Sequence, residues 1–464
     1  MESGRPAAAA EMTGETPPKI NFREAFWFWL KLGFMSFGGP AGQISIMHQE
    51  LVERRRWISE GRFLHALNYC MVLPGPEAQQ LATYIGWLMH RTWGGIVAGG
   101  LFVLPSLFIL IALSYVYMAY GNVPVVAGLL YGIKPAVVAI VLAAAWRIGQ
   151  RALKHPALWA ISVAAFVAIY AFSLPFPLIV IGAGIIGAVG GRFAPQIFTI
   201  GGGHGASKKQ YGAALIDDDT PTPTHATYRL SRVAAYAVCG LILWGAAMGA
   251  LVAAFGWEST LAKMGWFFTK AALLTFGGAY AVLPYVYQGA VENQHWLTAA
   301  QMIDGLALGE TTPGPLIMVV AFVGFVGGWT AQIFGPGHLL LAGAAAATVV
   351  TYFTFLPSFI FILVGGPLVE TTHGDLKFTA PLTGITAAVV GVILSLALFF
   401  AGHVFWPEAA SGRFDPGTAG RFDWIGALGS AAALVAAVRY KVGLIPLLAV
   451  AGAAGMVLRL AALA

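Results

Sequence analysis

Long apolar runs cover most of the chain from residue 22 onward, and short polar or charged segments separate them. About 20 apolar residues are enough for a helix to cross the hydrocarbon core of a bilayer. Uninterrupted runs predict ordinary membrane-spanning helices at about 94–118, 132–148, 156–171, 174–191, 233–255, 338–364, 378–401, 424–438 and 443–462. Four other runs are interrupted near their middle by glycine or proline, at 22–52, 63–90, 259–290 and 297–332.

The run 22–52 shows what an interruption means for the topology. Gly38, Gly39 and Pro40 divide it into two arms of about 15 residues, each covering ~22 Å at ~1.5 Å per residue. Such an arm passes the middle of the bilayer without crossing it. Basic residues flank both ends, which places both ends in the cytoplasm. We therefore predict a re-entrant helical hairpin with FGGP at its tip; the alternative is one long, broken crossing.

The chain carries its two kinds of interruption twice, with an offset of 239 positions. KLGFMSFGGP at 31–40 returns as KAALLTFGGA at 270–279, and Pro74-Gly75-Pro76 returns as Pro313-Gly314-Pro315. Residues 27–76 align with 266–315 without a gap and are identical at 14 of 50 positions. The LPS motif at 104–106 also returns, at 356–358. The protein is therefore an internal duplication.

The single run 233–255 between the halves has a topological consequence, because one crossing turns the second half upside down. The charges agree: RRRW at 54–57 becomes NQHW at 293–296. We predict an all-α polytopic membrane protein with an inverted internal repeat and helices broken at the FGG and PGP motifs, an architecture typical of secondary transporters. The predicted divisions are a disordered tail (1–21), an N-terminal repeat (22–191), a cytoplasmic linker (192–231), a connecting helix (232–256) and an inverted C-terminal repeat (257–464).

The composition excludes several other classes of protein. Only 10% of the residues are charged and the mean hydropathy is +0.76, whereas soluble domains carry roughly 25% charged residues. The net charge of +6 is too thinly spread to indicate nucleic-acid binding. Cys70 and Cys239 give no disulfide framework, and the ten histidines are scattered, so we predict no metal site, no cofactor and no enzyme. The GGGHG and DDD runs in the linker lack the setting of a phosphate loop or metal site, which favours a solvated linker.

The helix breaks are the predicted substrate site. Irregular backbone survives in a bilayer only inside protein or beside a wet cavity, and helices that restart there present unpaired N–H groups suited to an anion. Small polar residues near the breaks are candidate hydrogen-bond donors to a ligand, although simple helix packing also explains them. The candidate binding residues outside the lysines are Ser36, Gly38, Gly39, Pro40, Pro74, Gly75, Pro76, Gln79, Thr275, Gly277, Gly278, Thr312, Pro313, Gly314 and Pro315.

Four charged residues lie within or beside the broken runs. Lys31 and Lys270 occupy equivalent places about two turns before the glycine pairs, and each either faces the substrate cavity or snorkels to the membrane interface. Glu77 follows the first PGP and Glu310 precedes the second, so they are not repeat equivalents. Either carboxylate is a candidate for proton coupling, and stabilisation of a helix end is the alternative.

The FGGP segment, the ERRRW run and the VLPGPEAQQLATYIGW stretch at 72–87 resemble the chromate ion transporter family, of the long-chain, two-domain type. The resemblance implies a multi-pass transporter in the bacterial inner membrane that exports chromate and confers chromate resistance, with sulfate as the competing substrate. It carries the FGG and PGP residues over as site residues. The second half departs from the pattern with Ala279 in place of Pro40 and Leu316 in place of Glu77.

Several alternatives remain open at this stage. Chromate and sulfate are both tetrahedral dianions, so a sulfate or other oxyanion transporter, or an anion channel of the same fold, fits the same sequence. Export of a dianion from an inside-negative cell gains ~4.6 kcal/mol at 100 mV, which suffices for uniport. Whether a proton is exchanged, and whether the protein is a monomer or a homodimer, stays open.

Overall fold

The computed structural model describes residues 17–198, 211–276, 278–370, 379–407 and 422–461. Within these ranges all regular structure is helical, apart from an isolated bridge between Ile58 and Ile216. Seven of the described helices are long and apolar enough to cross a membrane. The predicted all-α, polytopic membrane fold is confirmed.

The helices agree closely with the predicted runs. Two predicted spans, α6 and α16, are shorter than a typical crossing, with 15 residues each. The helices are α1 (Phe22–Met35), α2 (Gly39–His48), α3 (Glu60–Val72), α4 (Glu77–Tyr120), α5 (Pro124–Ala152), α6 (Pro156–Tyr170), α7 (Phe176–Phe193), α8 (Pro195–Phe198), α9 (Leu230–Phe255), α10 (Thr260–Leu274), α11 (Ala279–Tyr287), α12 (Ala299–Thr311), α13 (Val319–Thr330), α14 (Leu339–Val369), α15 (Thr379–Phe405), α16 (Trp424–Val438) and α17 (Leu444–Ala461).

Each predicted interruption separates two helical segments. Gly38 and Gly39 lie between α1 and α2 with φ of 88° and 71°, and Gly75 lies between α3 and α4 with φ of 126°. In the second half, Gly278 precedes α11 with φ of 95°, and Gly314 follows α12 with φ of 105°. Glycine adopts positive φ at little cost because it has no Cβ. The motifs therefore break the helices for the local reason that the sequence indicates.

The two halves share backbone features that the sequence did not predict. A π-helical turn, Gln49–Arg54, follows α2, and another, Gln288–Asn293, follows α11 at the same offset of 239. Arg56 and His295, again equivalent, both adopt the left-handed conformation with φ of 52° and 53°. Left-handed φ is uncommon for residues other than glycine, so its recurrence at matched places shows that the duplicated segments fold alike.

The halves differ after their second broken run. In the first half, α4 continues directly from the hairpin into a crossing, with a kink at His90 and Arg91. In the second half, α13 ends at Thr330, and α14 begins only at Leu339 after a loop and a short 3₁₀ turn. The interval between the PGP and LPS motifs is longer in the second half than in the first, and this loop lies within that interval.

Residues 211–229 of the linker contact the first half, while Asp218 and Asp219 of the DDD run remain exposed. The Leu215 amide donates to the Arg56 carbonyl at 2.9 Å, and Ser59 donates to Asp218 of the DDD run at 2.6 Å. His225 contacts the Trp87 carbonyl at 2.8 Å, next to the kink in α4, and burial lowers the pKa of this histidine. The GGGHG run lies outside the described residues.

Two equivalent residues, Arg62 and Gln301, lie near opposite ends of the long helix α4. Between its kink and Tyr120 this helix has about 29 residues, which rise ~43 Å and are enough to cross the bilayer. Arg62 in α3 donates to the Thr220 carbonyl of the linker at 2.5 Å, at the kinked end of α4. Gln301 in α12, its equivalent at offset 239, lines a cavity with Tyr117 near the other end of α4.

Candidate functional site

The four breaks meet through two backbone hydrogen bonds that cross between the halves. The Gly75 amide donates to the Thr275 carbonyl at 2.8 Å, and the Gly314 amide donates to the Ser36 carbonyl at 2.8 Å. Gly75 and Gly314 are equivalent residues, as are Ser36 and Thr275. Each PGP break is thus bonded to the FGG break of the other half, and its glycine N–H is occupied by protein.

The PGP glycines are also required by close packing across the same junction. A Cβ built on Gly314 would lie 2.8 Å from the Ser106 Cβ, and one on Gly75 would overlap the Ser358 hydroxyl. Ser106 and Ser358 end the two LPS motifs, so this contact also recurs with the halves exchanged. The predicted residues Pro76, Pro313 and Pro315 are buried beside these glycines, and Pro74 is half-buried.

The hydroxyl residues at the breaks serve the helix ends in this conformation. Ser36 and Thr275, both fully buried, each donate a hydrogen bond to the carbonyl four residues earlier at 2.7 Å. Thr312 donates to the Gly309 carbonyl at 2.9 Å. Their side-chain donors are therefore used within their own helices, and the Ser36 and Thr275 carbonyls hold the cross-links between the halves.

Buried glutamines reinforce the junction. Gln79, a predicted site residue, donates to the Thr83 hydroxyl at 3.0 Å, and Gln80 donates to the Pro74 carbonyl at 2.8 Å. Gln43, which sequence reasoning did not select, donates to the Gly314 carbonyl and, at 3.4 Å, to the Ser36 carbonyl. A single amide within the otherwise apolar arm α2 was the signal for it.

The FGG breaks border open space, unlike the PGP breaks. A Cβ on Gly39 would meet no atom within 4 Å, and the nearest atom to one on Gly278 would be the Glu77 carboxylate at 4.0 Å. Gly38 is exposed and Pro40 is half-buried. Gly277 lies outside the described residues. The described residues therefore pack less closely at the starts of α2 and α11 than at the PGP breaks.

Both carboxylates lie at the second FGG break. Glu77 opens α4 and faces Gly278, while Glu310, in α12, is buried and accepts a hydrogen bond from the Tyr280 hydroxyl. Tyr280 is the second residue of α11, directly after the break. Glu77 and Glu310 are not repeat equivalents, yet the folding of the two halves brings them to one place.

Two arginines of α5 complete this charged region. Arg151 and Arg147 contribute long-range positive charge toward Glu77 and Glu310, without an ion pair within 4 Å in the part of the chain that the structure describes. Residues four apart share one face of a helix, and both arginines are exposed. The signal for them in the sequence is a pair of basic residues four apart near the end of an apolar run, a pattern that membrane topology alone also explains.

The two lysines lie apart from the junction. Lys31 is exposed on α1, where its neighbours on the same face, Trp27 and Phe34, are exposed as well. Lys270 is exposed on α10, with its ammonium 5.8 Å from the centre of the Trp266 ring. The buried faces of α1 and α10 are the opposite ones, so the arrangement favours snorkelling over a place in the substrate site.

An α-helical membrane protein whose broken helices meet beside two carboxylates has the architecture of an ion transporter. The described residues include no group of three or more His, Cys, Asp or Glu side chains that could hold a metal ion. The model of the chromate transporter family matches residues 23–188 and 262–456, which is most of both halves. The chain belongs to the chromate transporter family and is a multi-pass protein of the bacterial plasma membrane.

Known relatives extend over nearly the whole chain. The chromate transport protein of Pseudomonas aeruginosa is 33% identical over 94% of this chain and 96% of its own length. The chromate transport protein of Cupriavidus metallidurans is 28% identical over 85% of this chain and 86% of its own length. The uncharacterized transporter YwrB of Bacillus subtilis is 29% identical over 133 residues, 29% of this chain and 68% of its own length. No solved structure matches the chain.

Proposed function

We propose that this protein is a secondary transporter that exports chromate across the plasma membrane and thereby confers chromate resistance. The observation that carries the proposal is the junction of the four broken helices, which are cross-linked between the halves beside a charged region. The relatives named chromate transport protein support the choice of substrate. Chromate is the transported substrate in this proposal, so none of the junction residues needs to act as a catalyst.

The two halves form an inverted repeat in this proposal. The exchange of equivalent contacts at Gly75 and Gly314 supports a two-fold relation between them. The positions of Arg62 and Gln301 near opposite ends of the α4 crossing support an axis in the membrane plane. Rocking of one half against the other then exposes the junction alternately to each side of the membrane.

The oxyanion binds in the open space at the starts of α2 and α11. Their unpaired N–H groups and partial positive charge attract it, and the glycines let the ligand approach the backbone. Arg147 and Arg151 draw the anion toward the cavity by their charge. Glu77 and Glu310 offset part of this positive charge when the oxyanion is absent.

The membrane potential supplies energy for export. A dianion that leaves an inside-negative cell gains ~4.6 kcal/mol at 100 mV. Glu77 or Glu310 adds proton coupling if one of them takes up a proton when the oxyanion leaves. Proton movement that accompanies chromate flux, and its loss in Glu77→Gln or Glu310→Gln, is the measurement of this step.

Everted membrane vesicles test the function directly, because their cytoplasmic face is outward and export becomes uptake. We expect energised vesicles with the protein to accumulate chromate in a saturable way, with sulfate as a competitor. Vesicles carrying Gly39→Val, in which a β-branched residue is placed at a φ of 71°, should accumulate none. Gly245→Val, on an open face of α9, is the matched control and should transport normally.

Two results would overturn the proposal. Vesicles with the wild-type protein that take up sulfate but no chromate would make it a transporter for a different oxyanion. Flux that neither saturates nor shows counterflow would indicate an anion channel. Growth on chromate with and without the protein tests the role in resistance.

A further inference from the structure

A cavity of about 450 Å³ lies away from the junction, where α4, α5, α12 and α17 come together at the Tyr120 end of α4. A water molecule occupies ~30 Å³ in the liquid, so the volume accommodates a tetrahedral oxyanion together with several waters. The charged and titratable groups that line it or contact its lining are Tyr117, Tyr131, Lys134, Asp304, Asp423 and Arg459.

Asp304 is the central polar group of this cavity. The residue is 3% exposed, and its Oδ2 accepts a hydrogen bond from the Tyr117 hydroxyl at 2.9 Å. The Lys134 ammonium lies 3.4 Å from the same oxygen. Asp304 Oδ1 is buried and has no hydrogen-bond partner among the described residues. Burial of a carboxylate oxygen without a hydrogen-bond donor costs free energy. Because Oδ1 has no donor, it can still accept a hydrogen bond.

The cationic side chains that line the cavity favour a ligand with negatively charged oxygens. Lys134 carries three N–H donors, and Asp304 uses only part of them. Arg459 lines the same cavity and adds donors with a fixed positive charge. A ligand that satisfies every group must therefore offer negatively charged oxygens to the cations and one O–H to the carboxylate. A monoprotonated tetrahedral oxyanion has this pattern, and a fully deprotonated one lacks the O–H.

We propose that this cavity is a second oxyanion site that binds the monoprotonated form, with the O–H donated to the Asp304 carboxylate and the charged oxygens held by Lys134 and Arg459. Asp304 thereby determines specificity. Chromate takes up a proton near neutral pH, whereas sulfate does so only in strong acid, and a dianion without a proton would face the carboxylate directly. The inference rests on the proposed function, because it assigns a further station to the same transport pathway.

Two helices, α5 and α12, extend from the cavity toward the residues of the junction. Asp304 and Glu310 lie six residues apart on α12, which corresponds to ~9 Å along the helix. Lys134 and Arg147 lie 13 residues apart on α5, or ~20 Å. One helix therefore connects the cavity with the buried Glu310, and another connects it with the arginines on the far side. In this proposal the oxyanion occupies the cavity after it leaves the junction.

Competition in everted vesicles tests the inference through Asp304→Asn, which replaces one carboxylate oxygen with an N–H donor. We expect sulfate to inhibit chromate uptake about tenfold more strongly in this variant than in the wild type, because the amide donates to a bare oxyanion. Phosphate, which carries a proton near neutral pH, should compete well in the wild type and lose about the same factor in the variant. Glu258→Gln, which removes a carboxylate from an exposed ion pair with Lys263, is the matched control.

A second variant keeps the inference testable if Asp304→Asn fails to insert. Arg459→Gln lies on an exposed part of α17, and it should weaken chromate and phosphate alike without changing their preference over sulfate. In the wild type, the preference for chromate over sulfate should fall as the pH rises above the protonation range of chromate. Unchanged selectivity in Asp304→Asn, or a preference independent of pH in the wild type, would overturn the second site. Wild-type vesicles that transport no chromate would instead contradict the proposed function, and binding of chromate to purified wild type and Asp304→Asn would then decide the cavity separately.

Discussion

The two FGG breaks have similar backbones and different surroundings. At the second break the nearby side chains are charged or polar: Glu77, Glu310 and Tyr280. The equivalents of these residues, which belong to the first break, are Leu316, Met71 and Ala41. The titratable groups therefore lie at the second break, whereas the first break has the neutral Gln43 amide, although each break is cross-linked by the same backbone hydrogen bond.

The features that recur in both halves form a structural scaffold, and the features that differ between the halves are the charged side chains. The recurring features are backbone bonds, left-handed glycines and small residues, which hold two halves together whatever side chains surround them. The features that differ are side chains with charge. A duplicated transporter can thus keep a symmetric hinge while one half specialises in binding, and each prediction below compares a residue with its equivalent or with a matched control.

The largest effect is expected at the shared scaffold, from Gly314→Val and, equally, from Gly75→Val. Each substitution places a β-branched residue at positive φ and drives its Cβ into a serine of the opposite half. Strain and overpacking together should lower the free energy of unfolding by about 2–5 kcal/mol and abolish transport. Thermal unfolding of the purified variants measures the loss.

The equality of the two variants is the informative result. If Gly75→Val unfolds far more easily than Gly314→Val, the junction is not shared by the halves and the comparison fails. Gly245→Val, which meets no atom within 4 Å, should unfold like the wild type.

The next effect separates the two breaks, through Glu310→Gln and Met71→Gln. Glu310→Gln keeps the size of the side chain and its contact with Tyr280 but removes the charge, so we expect the initial rate of chromate uptake to fall about tenfold or more. Met71→Gln alters the equivalent position of the first half and should leave the rate within about twofold, since Met71 is exposed. Equal losses in the two variants would show that both breaks bind substrate alike.

The scaffold was largely predictable from the sequence, because its causes are local. Gly38-Gly39 and Pro74-Gly75-Pro76 break helices through their own backbone preferences, and the duplication follows from matched residues. The bonding of each PGP glycine to the opposite FGG break was not predictable, because it depends on how the halves dock. The sequence made Gly75 a candidate binding residue, whereas its N–H is bonded between the halves in this structure.

A smaller effect is expected from the arginines that approach only the charged break. Arg151→Gln should raise the KM for chromate about three- to tenfold with little change in maximal rate, because it removes an attracting charge without touching the junction. Arg192→Gln removes an exposed arginine from the end of α7 and serves as the control. Added salt should reduce the difference between wild type and Arg151→Gln. A KM that stays at the wild-type value at low salt would remove Arg151 from the path of the anion.

The direction in which a charged side chain points was the least predictable feature. The helix α1 carries large apolar residues on both its exposed and its buried face, Trp27 and Trp29 among them, so the apolar pattern alone left the direction of Lys31 open. Lys31 was therefore placed either in the substrate cavity or at the membrane interface. The packing of Phe28, Trp29 and Leu32 against the protein decides between these faces and leaves Lys31 exposed.

The smallest effect is consequently expected from Lys31→Ala and Lys270→Ala, although the lysines are the most regular charged feature of the repeat. Each lies on an exposed face beside a tryptophan, where a snorkelling ammonium contributes little to the junction. Both variants should transport chromate within about twofold of the wild-type rate at equal protein content, measured in the same everted vesicles. Abolished transport in either variant, with normal insertion, would return that lysine to the substrate site and require α1 or α10 to rotate during the transport cycle. Loss of chromate transport in Lys270→Ala alone would show that α1 and α10, the helices that precede the two breaks, also differ in function.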